Sequence, residues 1–101
     1  MSQVNSHCST DGRAVTIRVG GRFDFSLHRD FREAYRAHPR GLSYSVDLSA
    51  TEYLDSSALG MLLLLREHAG GDQARVEIRG VGPDVRKLLE IARFDRLFSI
   101  R

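Results

Sequence analysis

Three adjacent side chains, Asp55, Ser56 and Ser57, bring a carboxylate and two hydroxyls to the start of an apolar run that ends at Leu65. Two kinds of chemistry suit that grouping. The first is helix capping, because short side-chain oxygens accept hydrogen bonds from first-turn N–H groups that have no partner inside the helix. The second is modification. A serine hydroxyl at a helix N-terminus can carry a phosphate, which the oriented N–H groups and the positive end of the helix dipole tolerate. A phosphoserine adds about −1.5 to −2 charge and three acceptor oxygens. It would leave the helix standing and alter what docks there, and a hundredfold loss of affinity takes only about 2.7 kcal/mol. The residues alone leave both uses open.

Competing chemistry is hard to find elsewhere in the chain. The histidines (His7, His28, His38 and His68) lack HExxH or any paired ligand spacing, and read as surface or partly packed side chains. Cys8 is the sole cysteine, so neither an internal disulfide nor a cysteine-built zinc site can form. There is no GxSxG elbow, Walker loop or GxGxxG, and Gly20-Gly21-Arg22 is too short to cradle a phosphate. Asp47 or Asp55 at a strand end could serve as the acceptor of a receiver domain, but the acidic cluster that would hold magnesium has no counterpart. The expectation is a protein without catalysis, cofactor or metal of its own.

The elements that must position this triplet follow from the 101 residues, enough for one domain with a modest core. Hydrophobic residues make up 42% and charged residues 28%, and 15 basic against 13 acidic groups leave +2. No basic run accompanies that charge, so nucleic acid is not the expected partner. The apolar stretch 58–65 falls far short of the roughly 20 residues of a membrane span. With a polar N-terminus lacking a signal pattern, the expected location is the cytoplasm. Residues 1–3 are expected to be disordered.

Residues 13–19 alternate polar and apolar as a half-buried strand, and Asp11-Gly12 predicts a two-residue hairpin to a partner strand over 4–9. A short extended piece over 22–24 follows. Ser26 is the expected cap of a helix whose Leu27, Phe31, Ala34, Tyr35 and His38 share one face. Pro39 and Gly41 end it, and 42–48 alternate as a strand. The helix from Ser56 closes at Gly70-Gly71, with Ala58, Met61, Leu62, Leu65 and Ala69 as its packing stripe and Leu59 and Leu63 off that stripe. A strand over 74–79, a helix opening at Pro83-Asp84 and a strand over 97–100 complete the order β-β-α-β-α-β-α-β. Crossover helices between parallel strands make an α/β domain with a mixed sheet and helices mainly on one face.

On the motif Leu54-Asp55-Ser56-Ser57-Ala58-Leu59-Gly60, preceded by Val46-Asp47-Leu48, the chain resembles the STAS domains of bacterial anti-sigma factor antagonists. The likeness extends to Gly21-Arg22-Phe23-Asp24, to the stretch from Gly80 through Arg86, and to residues 88–98, nearly the whole chain from Arg13. The resemblance implies partner switching. The unphosphorylated antagonist binds an anti-sigma factor that is also a serine kinase of the GHKL type, freeing its client; the kinase, using ATP, phosphorylates Ser56, and a PP2C-type phosphatase reverses this. Ser57 is the second-choice acceptor. Asp24, Asp55, Leu59 and Met61 would join the two serines in the docking surface of a monomer or weak dimer. A non-switching STAS scaffold or lipid-transport accessory module is the alternative implied by the same family. Departures from the family pattern are Ala58 in place of glycine, a C-terminal helix absent or shortened after residue 100, and a serine-rich middle strand (Ser43, Ser45) for one buried on both faces.

Overall fold

The computed structural model describes residues 3–101. Strand β1 (Val4–Cys8) runs antiparallel to β2 (Ala14–Val19), with Val4 opposite Val19 and Cys8 opposite Val15. The turn between them is longer than the two-residue hairpin expected from Asp11-Gly12. It occupies the residues from Ser9 to Arg13, closed by Ser9 N–H donating to Ala14 O at 2.7 Å, and Gly12 takes φ +72°. Asp11 spends its carboxylate on the Ser9 hydroxyl and the Arg13 N–H instead of on a tight turn. Residues 1 and 2 of the expected disordered tail lie outside the described residues; Gln3 O accepts from Gly20 N–H at 2.9 Å.

The remaining main-sheet strands are β4 (Ser43–Asp47), β6 (Val76–Arg79) and β7 (Ser99–Ile100), in the order β1-β2-β4-β6-β7 and parallel from β2 onward. Two further strands, β3 (Gly21–Phe23) and β5 (Thr51–Leu54), form a separate parallel pair. The extended piece expected over 22–24 is β3; β5 falls where the sequence pattern shows only a polar loop.

Val15, Ile17 and Val19 of β2, Tyr44 and Val46 of β4, and Val76 and Ile78 of β6 all bury toward the helices. Their alternates, Thr16, Arg18, Ser45, Asp47, Glu77 and Arg79, make a polar second face. There the Ser45 hydroxyl donates to Glu77 Oε2 at 3.1 Å and Arg18 pairs with Asp47 at 3.4 Å. This explains the serines of the middle strand: β4 is covered by helices on one face only, which is unusual for parallel strands.

Helix α1 (His28–Arg36) buries Phe31 and Tyr35, and α2 (Ser56–Ala69) buries the stripe of Ala58, Met61, Leu62, Leu65 and Ala69. Helix α3 (Pro83–Ile91) starts with proline at its first position, where the missing N–H costs nothing, and buries Val85 and Leu89. Ser26 does not cap α1. Asp24 accepts from Ser26 N–H and caps a 3₁₀ turn, Phe25–Leu27, that leads into the helix. His68 of α2 clasps α1 from the side, its ring 5.0 Å from that of Tyr35 and its Nε2 2.9 Å from His38 O. Gly70, at φ +135°, closes α2. The last strand is shorter than expected because Phe94–Arg96 form a 3₁₀ turn, with the Phe94 and Phe98 rings stacked at 5.3 Å. Three α-helices and no fourth occur among the described residues.

Candidate functional site

The β3–β5 pair decides where the triplet stands. Phe23 lies opposite Leu54, and Asp55 N–H donates to Phe23 O at 3.4 Å. The next residue on each strand, Asp24 and Asp55, therefore emerges at the same end of the same small sheet. Each then starts a helical segment. Asp24 Oδ1 accepts from Ser26 N–H at 3.0 Å and from the Ser26 hydroxyl at 2.6 Å. Asp55 Oδ1 accepts from Ala58 N–H at 3.0 Å. Those two Ser26 bonds, with Arg22 at 3.6 Å contributing less, hold the Asp24 carboxyl below the ordinary carboxylate range.

With Asp55 serving as the cap of α2, the hydroxyls of Ser56 and Ser57 are left without that task. Neither makes a hydrogen bond among the described residues. Ser56 is exposed and Ser57 is half-buried. Asp55 flanks Ser56 in sequence, but its carboxylate is directed to the main chain of Ala58 rather than to the serine hydroxyl.

Ser57 opens onto a shallow apolar groove lined also by Phe25, His28, Gly60, Leu63 and Leu64. Phe25 is 59% exposed, Leu64 51% and Leu63 38%. Leu59, expected in the docking surface, is half-buried and packs against the core; Met61 is 4% exposed and reaches the groove only as part of its wall. The exposed apolar side chains lining the groove are Phe25, Leu63 and Leu64. Leu63 was legible as an off-stripe residue. Phe25 was not, because an aromatic between two capping residues belongs to no periodic pattern; its position inside the polar turn Asp24-Phe25-Ser26 was the available signal. On the strand side Arg22 lies over the Tyr53 ring at 4.2 Å, forming a cationic and aromatic rim beside Asp24.

A Cβ placed on Gly60 meets nothing within 4 Å. No element of the fold presses on that glycine, so its small size serves no intramolecular contact. Among the described residues no group of three or more His, Cys, Asp or Glu side chains could hold a metal ion, and no helix is long and apolar enough to cross a membrane.

The family model described as "Mlab, STAS domain" matches residues 6–99. A STAS-domain containing protein of Pseudomonas aeruginosa (strain UCBPP-PA14) is 54% identical over 93 residues, covering 91% of this chain and 92% of that protein. Among solved structures, an anti-sigma factor antagonist from Mycobacterium paratuberculosis superposes with TM-score 0.74 at 20% identity, covering 96% of this chain and 84% of the other. The Bacillus cell fate determinant SpoIIAA in its phosphorylated form gives TM-score 0.66 at 16% identity, with 97% and 90% covered. At those identities the two structures share the fold of this chain.

Proposed function

The chain belongs to the STAS domain family, and from that membership we propose that it is an anti-sigma factor antagonist that works by partner switching. It has no catalysis or cofactor of its own and acts in the cytoplasm as a monomer or weak dimer. In the unphosphorylated state the groove of Phe25, Leu63 and Leu64 and the adjoining helix start dock a GHKL-type anti-sigma factor and release its client. That kinase uses ATP to phosphorylate Ser56, and a PP2C-type phosphatase resets the module.

The observation that carries this reading is the division of labour between Asp55 and Ser56. The cap is supplied by the aspartate, so the exposed serine hydroxyl is free to be modified without unravelling the helix. A phosphate at this position faces the first-turn N–H groups and stays compatible with α2. At the edge of an apolar groove it brings about two negative charges into a contact that must lose water, which opposes docking. That a neighbour of this fold is described in a phosphorylated form is consistent with the same use of the surface.

The matched family model carries the Mlab name and not that of an antagonist, which favours a second reading. There the same groove holds a constant partner, in a scaffold or lipid-transport assembly, and Ser56 stays unmodified. Intact-mass measurement after incubation with the cognate kinase and ATP separates the two. The switch requires a phosphate gain on the wild type that persists in Ser57→Ala and is lost in Ser56→Ala. No gain on wild type, with partner capture abolished by Leu64→Asp, assigns the constant module instead.

A further inference from the structure

At the far end of the fold from Ser56, the leading ends of β2, β4 and β6 and the C-terminal end of α2 surround an open cleft of about 720 Å³. That size lies within the roughly 300–1,000 Å³ of small-ligand sites. Arg13, Arg40 and Arg75 line it, together with the polar residues Ser43 and Gln73, and no acidic residue is among its lining. The sheet register brings the arginines together. Arg13 and Arg75 lead into the two strands that flank β4, and their carbonyls accept from Ser43 N–H at 3.1 Å and Tyr44 N–H at 2.9 Å. Their backbones are thus about two strand spacings, roughly 10 Å, apart, and both are anchored to the same central strand.

Arg40 approaches from the other side. Its Nη2 donates at 3.1 Å to Glu67 O, a last-turn carbonyl of α2 that also accepts the Gly70 N–H at 3.3 Å. The Arg40 bond offsets the negative end of the helix dipole, which would otherwise repel an anion there. Arg13 and Arg75 have no hydrogen bond or ion pair from their guanidinium groups among the described residues. Three arginines, two of them with unpaired guanidiniums among the described residues, thus line one cleft that has no acidic residue in its walls. Guanidinium forks bind phosphate oxygens with two parallel N–H bonds, and an anion relieves their mutual repulsion.

We propose that this cleft binds a multiply charged phosphate group, with Arg13 and Arg75 clamping the oxyanions and Arg40 as the fixed wall. The group can belong to a free phosphorylated small molecule or to a lipid headgroup, and the site is independent of any event at Ser56. Calorimetric titration of the full chain with sodium pyrophosphate at constant ionic strength tests the first source. Co-sedimentation with phosphatidylglycerol–phosphatidylcholine vesicles tests the second. Saturable binding to either probe is expected to weaken at least about tenfold in Arg75→Ala and in Arg13→Ala. Arg29→Ala, which removes the same charge from the exposed side of α1, is expected to leave it unchanged. Binding to neither probe overturns the proposal, as does an equal loss in Arg29→Ala; melting curves of each variant show whether a loss comes from unfolding.

Discussion

Asp24 and Asp55 leave adjacent parallel strands side by side, one residue beyond the Phe23–Leu54 pair, and each caps the helical segment that follows it. A two-stranded sheet of this size has little stability alone. Here it acts as an alignment device, setting two chain turns to the same surface. The turn capped by Asp24 carries Phe25 onto the flank of α2, where it completes the groove beside Ser57.

Ser56→Asp is expected to lower affinity for the partner kinase by about a hundredfold, equivalent to about 2.7 kcal/mol, and to leave the melting temperature nearly unchanged. The side chain is exposed and unbonded, and an acidic residue in the first turn of a helix is favourable. Calorimetric binding with parallel thermal denaturation checks both halves. An unfolded variant, or one that binds as tightly as the wild type, removes the docking role of the helix start.

Gly60→Ala is expected to move stability and binding in opposite directions. Alanine gains roughly 1 kcal/mol over glycine inside a helix, and the added Cβ enters open space in this fold. A partner seated in the groove would meet that methyl. Urea unfolding should therefore show a more stable protein while partner affinity falls. A variant that is stabilised and binds normally shows that the groove is not a contact surface at this point.

The periodic parts of the chain were readable and the non-periodic parts were not. The packing stripe of α2, from Ala58 to Ala69, follows from the 3.6-residue repeat, and the buried faces of β2 and β6 follow from alternation. Strands β3 and β5, three and four residues long, give no pattern to count, so the proximity of Asp24 to Asp55 came only from the family likeness and their pairing across a small parallel sheet was not readable. Ser26 was the natural choice of cap for α1; the chain instead caps the preceding 3₁₀ turn with Asp24, makes Ser26 the donor, and enters α1 at Leu27 without a side-chain cap. The serines of β4 stood out in the sequence as a departure for a strand buried on both faces; the structure explains them by the polar face of the sheet. Within the candidate site, the off-stripe position of Leu63 was legible, and so was the burial of Met61, which belongs to the α2 packing stripe and leaves little of the side chain for the docking role implied by the family likeness.

Asp47 gives the domain a pH dependence of known sign. It is 6% exposed, and hydrogen bonds from Ser49, with Arg18 adding less, hold its carboxyl below the ordinary range. A pKa lower in the folded state contributes stability that is complete above the unfolded carboxylate range, near about 4, and is lost as pH falls through the folded value. Asp47→Asn is expected to cost about 1.5–3 kcal/mol at neutral pH, by the usual worth of a bond to a charged group. Its unfolding free energy should also fall less steeply below about pH 4 than that of the wild type. Parallel slopes from urea titrations across that interval would show that Asp47 is not the group responsible.

Helix α2 has 14 residues, a rod about 21 Å long, with Ser56 on its first turn and the carbonyl held by Arg40 near its last. At physiological ionic strength the field of an exposed charge decays over about 8 Å. The two ends of the rod are therefore electrostatically insulated from one another, and a charge acquired at one pole leaves the other pole's affinities where they were. Unless α2 itself shifts as a body, the domain can be written on at one end and occupied at the other as two separate channels of information.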